Sequence, residues 1–510
     1  MGRRVRWLGL VMILCFTLVL VQLVNIQFRQ APALNKSSDN PRTLVDRYDN
    51  QRGDILAADG SVLARSVTAT AGSYHYQRVY PGGAAASLYS DVVGYSSILY
   101  GTSGVEYQYN GYLVAHSQPA RSLSQLLSPA PKTADNVTVT LQPYLQQVAQ
   151  QAVARIPSAN KDAAVVALDP RTGAVLAMYS NPNFDPNPLA SPDAATQDAA
   201  RYTYLQPDGE GFVPLVSLAT QARFFPGSTS KVVTSAAVYD LKPGLIDFSY
   251  PSDPQNSCLK LPNSDKQLCN EGTDVTNSIP CGGTMVQMLP ASCDPGYGEL
   301  GIQLGGDLLS RQAALFGYNS VPPIDLPGVV PSAFPAAAQL TANQAFLAYS
   351  SIGQFDVQAT ALQNAMIAAG IANGGVVMVP HVMAQIRQSD GTLVKSYTPS
   401  VYQRAVSART AAQVTSLMQS VAKPGGTAAG VGFSPSLNVA VKTGTAQTSA
   451  TAPPASANVD WMIGFAPADS PVVAVAVVVP KQSQTSDGAG IAGPIMNAVL
   501  SAALAHAAGS

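Results

Sequence analysis

The residues with the clearest chemical potential fall in three short groups: Ser228-Thr229-Ser230-Lys231, Ser292-Cys293-Asp294 and Lys442-Thr443-Gly444-Thr445. A serine three residues before a lysine pairs a nucleophile with a proton carrier, which allows acyl transfer without histidine. Phe224-Phe225-Pro226-Gly227 punctuates a loop closing onto the apolar run Val232-Val233-Thr234, so Ser228 is expected at a helix N-terminus. Positions i and i+3 share a helical face, which puts the Lys231 side chain within reach of the Ser228 hydroxyl. The helix dipole and its unpaired N–H groups suit a developing oxyanion, and the same field with desolvation favours an unprotonated lysine. The alternative is an ordinary Ser and Lys at the start of a surface helix. The flanking residues weigh against it.

Lys442-Thr443-Gly444-Thr445 follows the strand-like run Leu437-Asn438-Val439-Ala440-Val441. Gly444 would let another backbone approach that strand, so a peptide could add as a further strand. Lys442 and the hydroxyls of Thr443 and Thr445 would then grip a carboxylate. The Thr445 N–H could join that of Ser228 as an oxyanion hole. An edge strand ending in Lys and Thr for solubility is the competing view. The middle group is the least specific. Ser-x-Asn occurs literally at Ser38-Asp39-Asn40, Ser158-Ala159-Asn160, Ser436-Leu437-Asn438 and Ser456-Ala457-Asn458, none placed where the chemistry needs it. Ser292-Cys293-Asp294 lies between the other two groups and precedes a helix-like segment from Leu308 to Tyr318. It carries Asp where Asn is commoner.

The ordered set resembles the class B penicillin-binding proteins, and among them the penicillin-binding protein A group of actinobacteria. The likeness runs through Arg52-Gly53-Asp54-Ile55, Asp59-Gly60-Ser61-Val62-Leu63-Ala64, Val79-Tyr80-Pro81-Gly82 and Gly101-Thr102-Ser103-Gly104-Val105-Glu106. It continues through the hairpin pattern Leu168-Asp169-Pro170-Arg171-Thr172-Gly173-Ala174-Val175 and Ser351-Ile352-Gly353-Gln354, then Trp461-Met462-Ile463-Gly464-Phe465-Ala466-Pro467. The resemblance implies a serine D,D-transpeptidase that cross-links peptidoglycan stem peptides, binds β-lactam antibiotics and needs no cofactor or metal. It implies Ser228 as the acylated nucleophile, Lys231 as its base and Ser292 as proton shuttle, with Asp294 in the usual Asn position. Lys442 would complete the catalytic set, with Thr443, Gly444 and Thr445 binding substrate. Some elongation-type relatives share the Asp, so it does not imply inactivity, although Asp294 near two lysines can hold them protonated. A SEDS-type glycosyltransferase in the membrane is the partner expected of the family.

The N-terminus sets the expected compartment. Arg3, Arg4 and Arg6 precede a charge-free run over 7–26, long enough to span a bilayer with residues 1–6 in the cytoplasm. A signal peptide cleaved near Ala31-Pro32-Ala33 is the rival, but the apolar run is long for one and Arg29 crowds the site. The four cysteines beyond the anchor, Cys258, Cys269, Cys281 and Cys293, suit an oxidising compartment and allow three full pairings. The local pairing, Cys258–Cys269 with Cys281–Cys293, is preferred. It places Cys293 of the middle motif in a disulfide. With 12% charged residues and a net charge of −1, the chain offers no basic surplus for nucleic acid. The four histidines show no metal spacing, and no Gly-x-Ser-x-Gly surrounds Ser228.

These residues need an α+β scaffold to position them. The expected organisation is an anchor over 7–27, a β-rich pedestal over 28–137 and a transpeptidase domain over 138–510. That domain should be an antiparallel sheet with a helical subdomain. A helical pattern runs over 137–155, strands flank the turn Asp169 to Gly173, and three late strands cover 437–447, 460–466 and 472–479. A final helix is expected over 491–506. The Ser-, Ala- and Pro-rich stretch 448–458 reads as a solvated loop beside the third motif, with gating of the cleft as the alternative. Functionally, two readings compete with transpeptidation. One is hydrolysis on the same fold, as a D,D-carboxypeptidase or β-lactamase. The other, motivated by Asp294, is a catalytically silent cell-wall scaffold.

Overall fold

The structure, a computed structural model, describes residues 2–26, 50–69, 75–117, 132–252, 258–262, 264–270, 281–448, 453 and 456–509. A five-stranded antiparallel sheet runs in the order Val175–Asn181, Ala163–Leu168, Val473–Gln482, Asn458–Ala466, Ala440–Gln447. Its first two strands come early in the chain and the other three late, so the helical region between them is an insert in one sheet. Every residue of Asn458–Ala466 is buried, which needs cover on both faces. The terminal helix Gly488–Gly509 and the Ala-rich helix Ala361–Ala372 pack on the sheet and supply it. Small side chains along Ala361–Ala372 let that helix lie close to the strands, with Ala361 to Ile371 buried.

A second sheet has six strands in the order Leu393–Ser396, Met383–Gln388, Asp135–Val139, Ile55–Leu56, Val62–Thr68, Tyr76–Val79. The pair Ile55–Leu56 with Asp135–Val139 is parallel and the other pairings are antiparallel. Gly60, at φ +83°, turns the chain between two of these strands, and its neighbour Asp59 accepts the Ser61 N–H at 2.9 Å. Residues 137–139 lie in the sheet, where sequence periodicity gives a helix. The helix begins only at Pro143, a proline suited to the first helical position, and ends at Ala154. Two outer strands of this sheet come from residues beyond 380, so it is closed by chain that lies deep in the second half of the sequence.

Three of the motifs quoted from the first part of the chain converge on one buried carboxylate. Glu106 lies 2.6 Å from Arg52 Nε and 2.5 Å from Arg78 Nε, with the Tyr80 hydroxyl at 3.2 Å. Burial alone would raise the Glu106 carboxyl, and the two guanidinium groups overcome this and hold it below its ordinary value. Arg52 also donates to Asn110 Oδ1 and Arg78 to the Gly53 carbonyl, so the charges are hydrogen-bonded as well as paired.

The helix Gly2–Val24 is long and apolar enough to cross a membrane, and its large apolar side chains from Trp7 to Val24 are exposed. The terminal helix passes the same length test, but nearly half of it is buried against the sheet. Packing decides between the two. Of the stretch 448–458, residues 449–452, 454 and 455 lie outside the described residues, as do residues 27–49.

Candidate active site

Ser228 sits in a 3₁₀ turn, Gly227–Ser230, that runs directly into the α-helix Lys231–Leu241. In a 3₁₀ turn residues i and i+3 eclipse, which brings Lys231 Nζ to 3.0 Å from Ser228 Oγ. Val232, Val233, Ala236, Ala237 and Val238 are buried, so the helix is locked by its apolar residues and the lysine points inward with no exposed surface. The Tyr297 ring lies beneath its ammonium, with 5.6 Å from Nζ to the ring centroid.

Lys231 Nζ also lies 2.6 Å from the Ser292 carbonyl, 3.2 Å from Ser292 Oγ and 2.5 Å from Asp294 Oδ1. Ser292 Oγ in turn lies 2.9 Å from Lys442 Nζ. The three sequence motifs therefore meet at one hydroxyl, which bridges two fully buried lysines. A neutral lysine has two N–H donors and one lone pair. Directing the donors at the Ser292 carbonyl and Asp294 leaves the lone pair for the Ser228 hydroxyl.

The backbone at Ser292 is left-handed, with φ +53°, a conformation costly for a residue with a Cβ. Its surroundings hold it there. Ser292 N donates to Leu289 O and Cys293 N to Met288 O, while Cys293 is bonded to Cys281. Asp294 opens the helix Asp294–Leu304, followed at once by Pro295. Its backbone N–H donates to Asn270 Oδ1 at 3.0 Å, and Asn270 follows Cys269, the partner of Cys258. Both disulfides thus brace the middle motif, one through its own Cys293 and one through Asn270. The pairing is the local one.

Lys442 to Thr445 lie on the outer strand of the five-stranded sheet. The backbone that Gly444 admits is that of the turn Gly227–Ser230 and the Pro226 before it, which occupy part of that space. A Cβ on Gly444 would fall 2.8 Å from the Pro226 carbonyl oxygen and 2.8 Å from Thr229 Cγ2. Gly227 mirrors it: at φ +53°, its added Cβ would fall 2.6 Å from the Thr445 carbonyl oxygen. Trp461, on the neighbouring strand, donates Nε1–H to Phe225 O at 2.9 Å and completes the clamp. Thr443 Oγ1 lies 2.7 Å from Thr427 Oγ1, and Thr427 N donates to Pro290 O, tying this strand to the Ser292 turn. Thr445 Oγ1 accepts the Gly488 N–H at 3.2 Å at the start of the terminal helix.

Reasoning from sequence missed Asn270, Thr427 and Asp460. Asn270 had a signal, its place beside a framework cysteine. Asp460 had another, as the one acid in the largely apolar strand Asn458–Ala466. It pairs across the ladder with Thr445. Burial pushes its carboxyl up to about 7, and the Asp487 charge adds to this while the Ser486 and Thr445 hydroxyls oppose it. Thr427 had no local signal.

Residues 163–501 match the penicillin binding protein transpeptidase domain, and residues 52–137 match the penicillin binding protein A dimerisation domain. The peptidoglycan D,D-transpeptidase PbpA of Mycolicibacterium smegmatis is 35% identical, covering 99% of both chains. Penicillin-binding protein A from M. tuberculosis, solved as a ceftriaxone acyl-enzyme complex, superposes with a TM-score of 0.78 at 34% identity. That likeness covers 90% of this chain and 100% of the other. Its penicillin G acyl-enzyme complex gives 0.76 at the same identity, covering 89% of this chain and 100% of the other. The chain belongs to the class B penicillin-binding protein transpeptidases.

Proposed function

We propose that this chain is a membrane-anchored peptidoglycan D,D-transpeptidase working through a serine acyl-enzyme at Ser228. The observation that carries the reading is the unbroken network Ser228–Lys231–Ser292–Lys442, with Asp294 bonded to Lys231. Ser228 Oγ attacks the carbonyl of the penultimate D-Ala while its proton passes to Lys231. The oxyanion is held by the N–H groups of Ser228 and Thr445. Lys231 then returns the proton through Ser292 to the leaving D-Ala amine, with Lys442 fixing the Ser292 hydroxyl. Attack of a stem-peptide amine on the ester releases the cross-link. Lys442, Thr443 and Thr445 bind the terminal carboxylate, and Gly444 keeps the strand close enough for this. β-Lactams inhibit by acylating the same serine.

The helix Gly2–Val24 is the anchor, with the N-terminus cytoplasmic. The pedestal, 28–137, carries the catalytic body, 138–510, outside the membrane, and a SEDS-type glycosyltransferase is its partner there. Both disulfides suit that side of the membrane. The test offers the full-length chain a stem pentapeptide ending in D-Ala-D-Ala, with and without an acceptor amine. Ser228-dependent D-Ala release with a new amide bond supports cross-linking. Release into water alone, whatever the acceptor concentration, would replace this reading with a carboxypeptidase.

Asp294 sets a pH signature. A carboxylate beside Lys231 stabilises the ammonium and so opposes its role as base. Asp294→Asn keeps a hydrogen-bonding oxygen and removes the charge. Acylation by benzylpenicillin should then begin to rise at a lower pH. A rising limb at the same or higher pH in the variant would contradict this role of Asp294.

A further inference from the structure

Asp460 is the buried acid that the mechanism above does not use. It has no exposed surface, and neither carboxyl oxygen has a hydrogen-bond partner among the described residues. Such a group is costly to bury unless its state matters or its cost is met elsewhere. Its neighbours are few. On the motif strand it faces Thr445, and on the other neighbouring strand Val479. From the segment entering the terminal helix it meets the Ser486 hydroxyl and the Asp487 charge. Asp487 is itself engaged, accepting the Gly490 N–H at 2.7 Å.

Thr445, on the outer strand of the sheet, lies directly across the ladder from this acid. Its hydroxyl has one hydrogen, and its acceptor side already takes the Gly488 N–H at 3.2 Å. The single hydrogen can serve the carboxyl behind it or a carboxylate in front, and not both. We propose that Asp460 is a positioning residue acting through Thr445: its charge state decides whether that hydroxyl donates into the sheet or to the substrate carboxylate. Ionised, Asp460 draws the hydrogen inward and adds a negative charge behind the carboxylate site. Protonated, it does neither, and Thr445 is free to donate to the ligand. Because burial places its titration near neutrality, the balance changes within the working range of an extracytoplasmic enzyme. The inference rests on the functional reading that Thr445 grips the ligand carboxylate.

The experiment measures the second-order rate of benzylpenicillin acylation for the full-length chain in detergent, from pH 5.5 to 9. In the unmutated protein the rate should fall on the alkaline side as Asp460 ionises. In Asp460→Asn that fall should vanish, leaving the variant about tenfold faster at pH 9, the effect of one charge-assisted hydrogen bond. Thr445→Val provides the second variant should Asp460→Asn fail to fold. It should start from a lower rate and show a shallower alkaline fall, because the hydroxyl is gone while the Asp460 charge remains. An alkaline fall retained in Asp460→Asn, or undiminished in Thr445→Val, would overturn the role of Asp460. Absence of any adduct in the unmutated protein at every pH would instead overturn the functional reading, and this inference with it.

Discussion

Lys231→Met should slow acylation of the protein by benzylpenicillin by about a thousandfold, within the range general base catalysis contributes. Methionine keeps an unbranched stem in the fully buried slot above Tyr297 and removes only the proton carrier. The loss therefore reports chemistry and not collapse of the helix Lys231–Leu241. Ser292 Oγ keeps Lys442 at 2.9 Å, and Asp294, partly exposed, can turn to water. Stopped-flow acylation rates together with a thermal melt check the expectation. A rate within tenfold of the unmutated protein, in a variant that melts normally, would move the base to Lys442 acting through Ser292.

Gly444→Ala should reduce the same rate by at least about a hundredfold while the protein remains folded. The added methyl group would fall 2.8 Å from both Pro226 O and Thr229 Cγ2, closer than real Cβ atoms come to backbone. The nucleophile turn and the motif strand must then separate by some tenths of an ångström to an ångström. A displacement of that size at the reacting centre costs on the order of a hundredfold in rate. Gly430→Ala is the control, because a Cβ there meets nothing within 4 Å. Equal loss in both variants would show that the clamp between turn and strand has no part in the chemistry.

The two lysines are as informative for what sequence could reveal as for what they do. Ser228 and Lys231 were legible because their meeting is local: three residues in a tight turn suffice, whatever surrounds them. The strand before Lys442 was legible from its apolar period, and the disulfide pairing from short cysteine spacings. Ser292 was placed by order along the chain, but nothing in its sequence announced a left-handed backbone. That conformation comes from the Cys281–Cys293 bond and the turn at Leu289 acting together.

What stayed hidden depended on register and on distant pairing. Asp460 faces Thr445 only because the two strands align with Thr445 opposite it, and a slip of one residue would send it to the other face. The six-stranded sheet draws Met383–Gln388 to Asp135–Val139 across more than 240 residues of chain, a pairing no local pattern encodes. The same strand explains why Val137, Thr138 and Val139, close to a helix, are not part of it: they pair with strands on both sides, and their alternating burial follows the period of a strand. Arg52, Tyr80 and Glu106 were visible in separate motifs, and their meeting, with Arg78 as a further partner, emerged only once the fold brought them together.

The most direct measurement of the central claim is the intact mass of the full-length chain after incubation with benzylpenicillin, beside Ser228→Ala. The account predicts a stable increase by one penicillin in the unmutated protein and none in the variant. An adduct that persists in Ser228→Ala, or none in a folded, oxidised, unmutated chain, would contradict it.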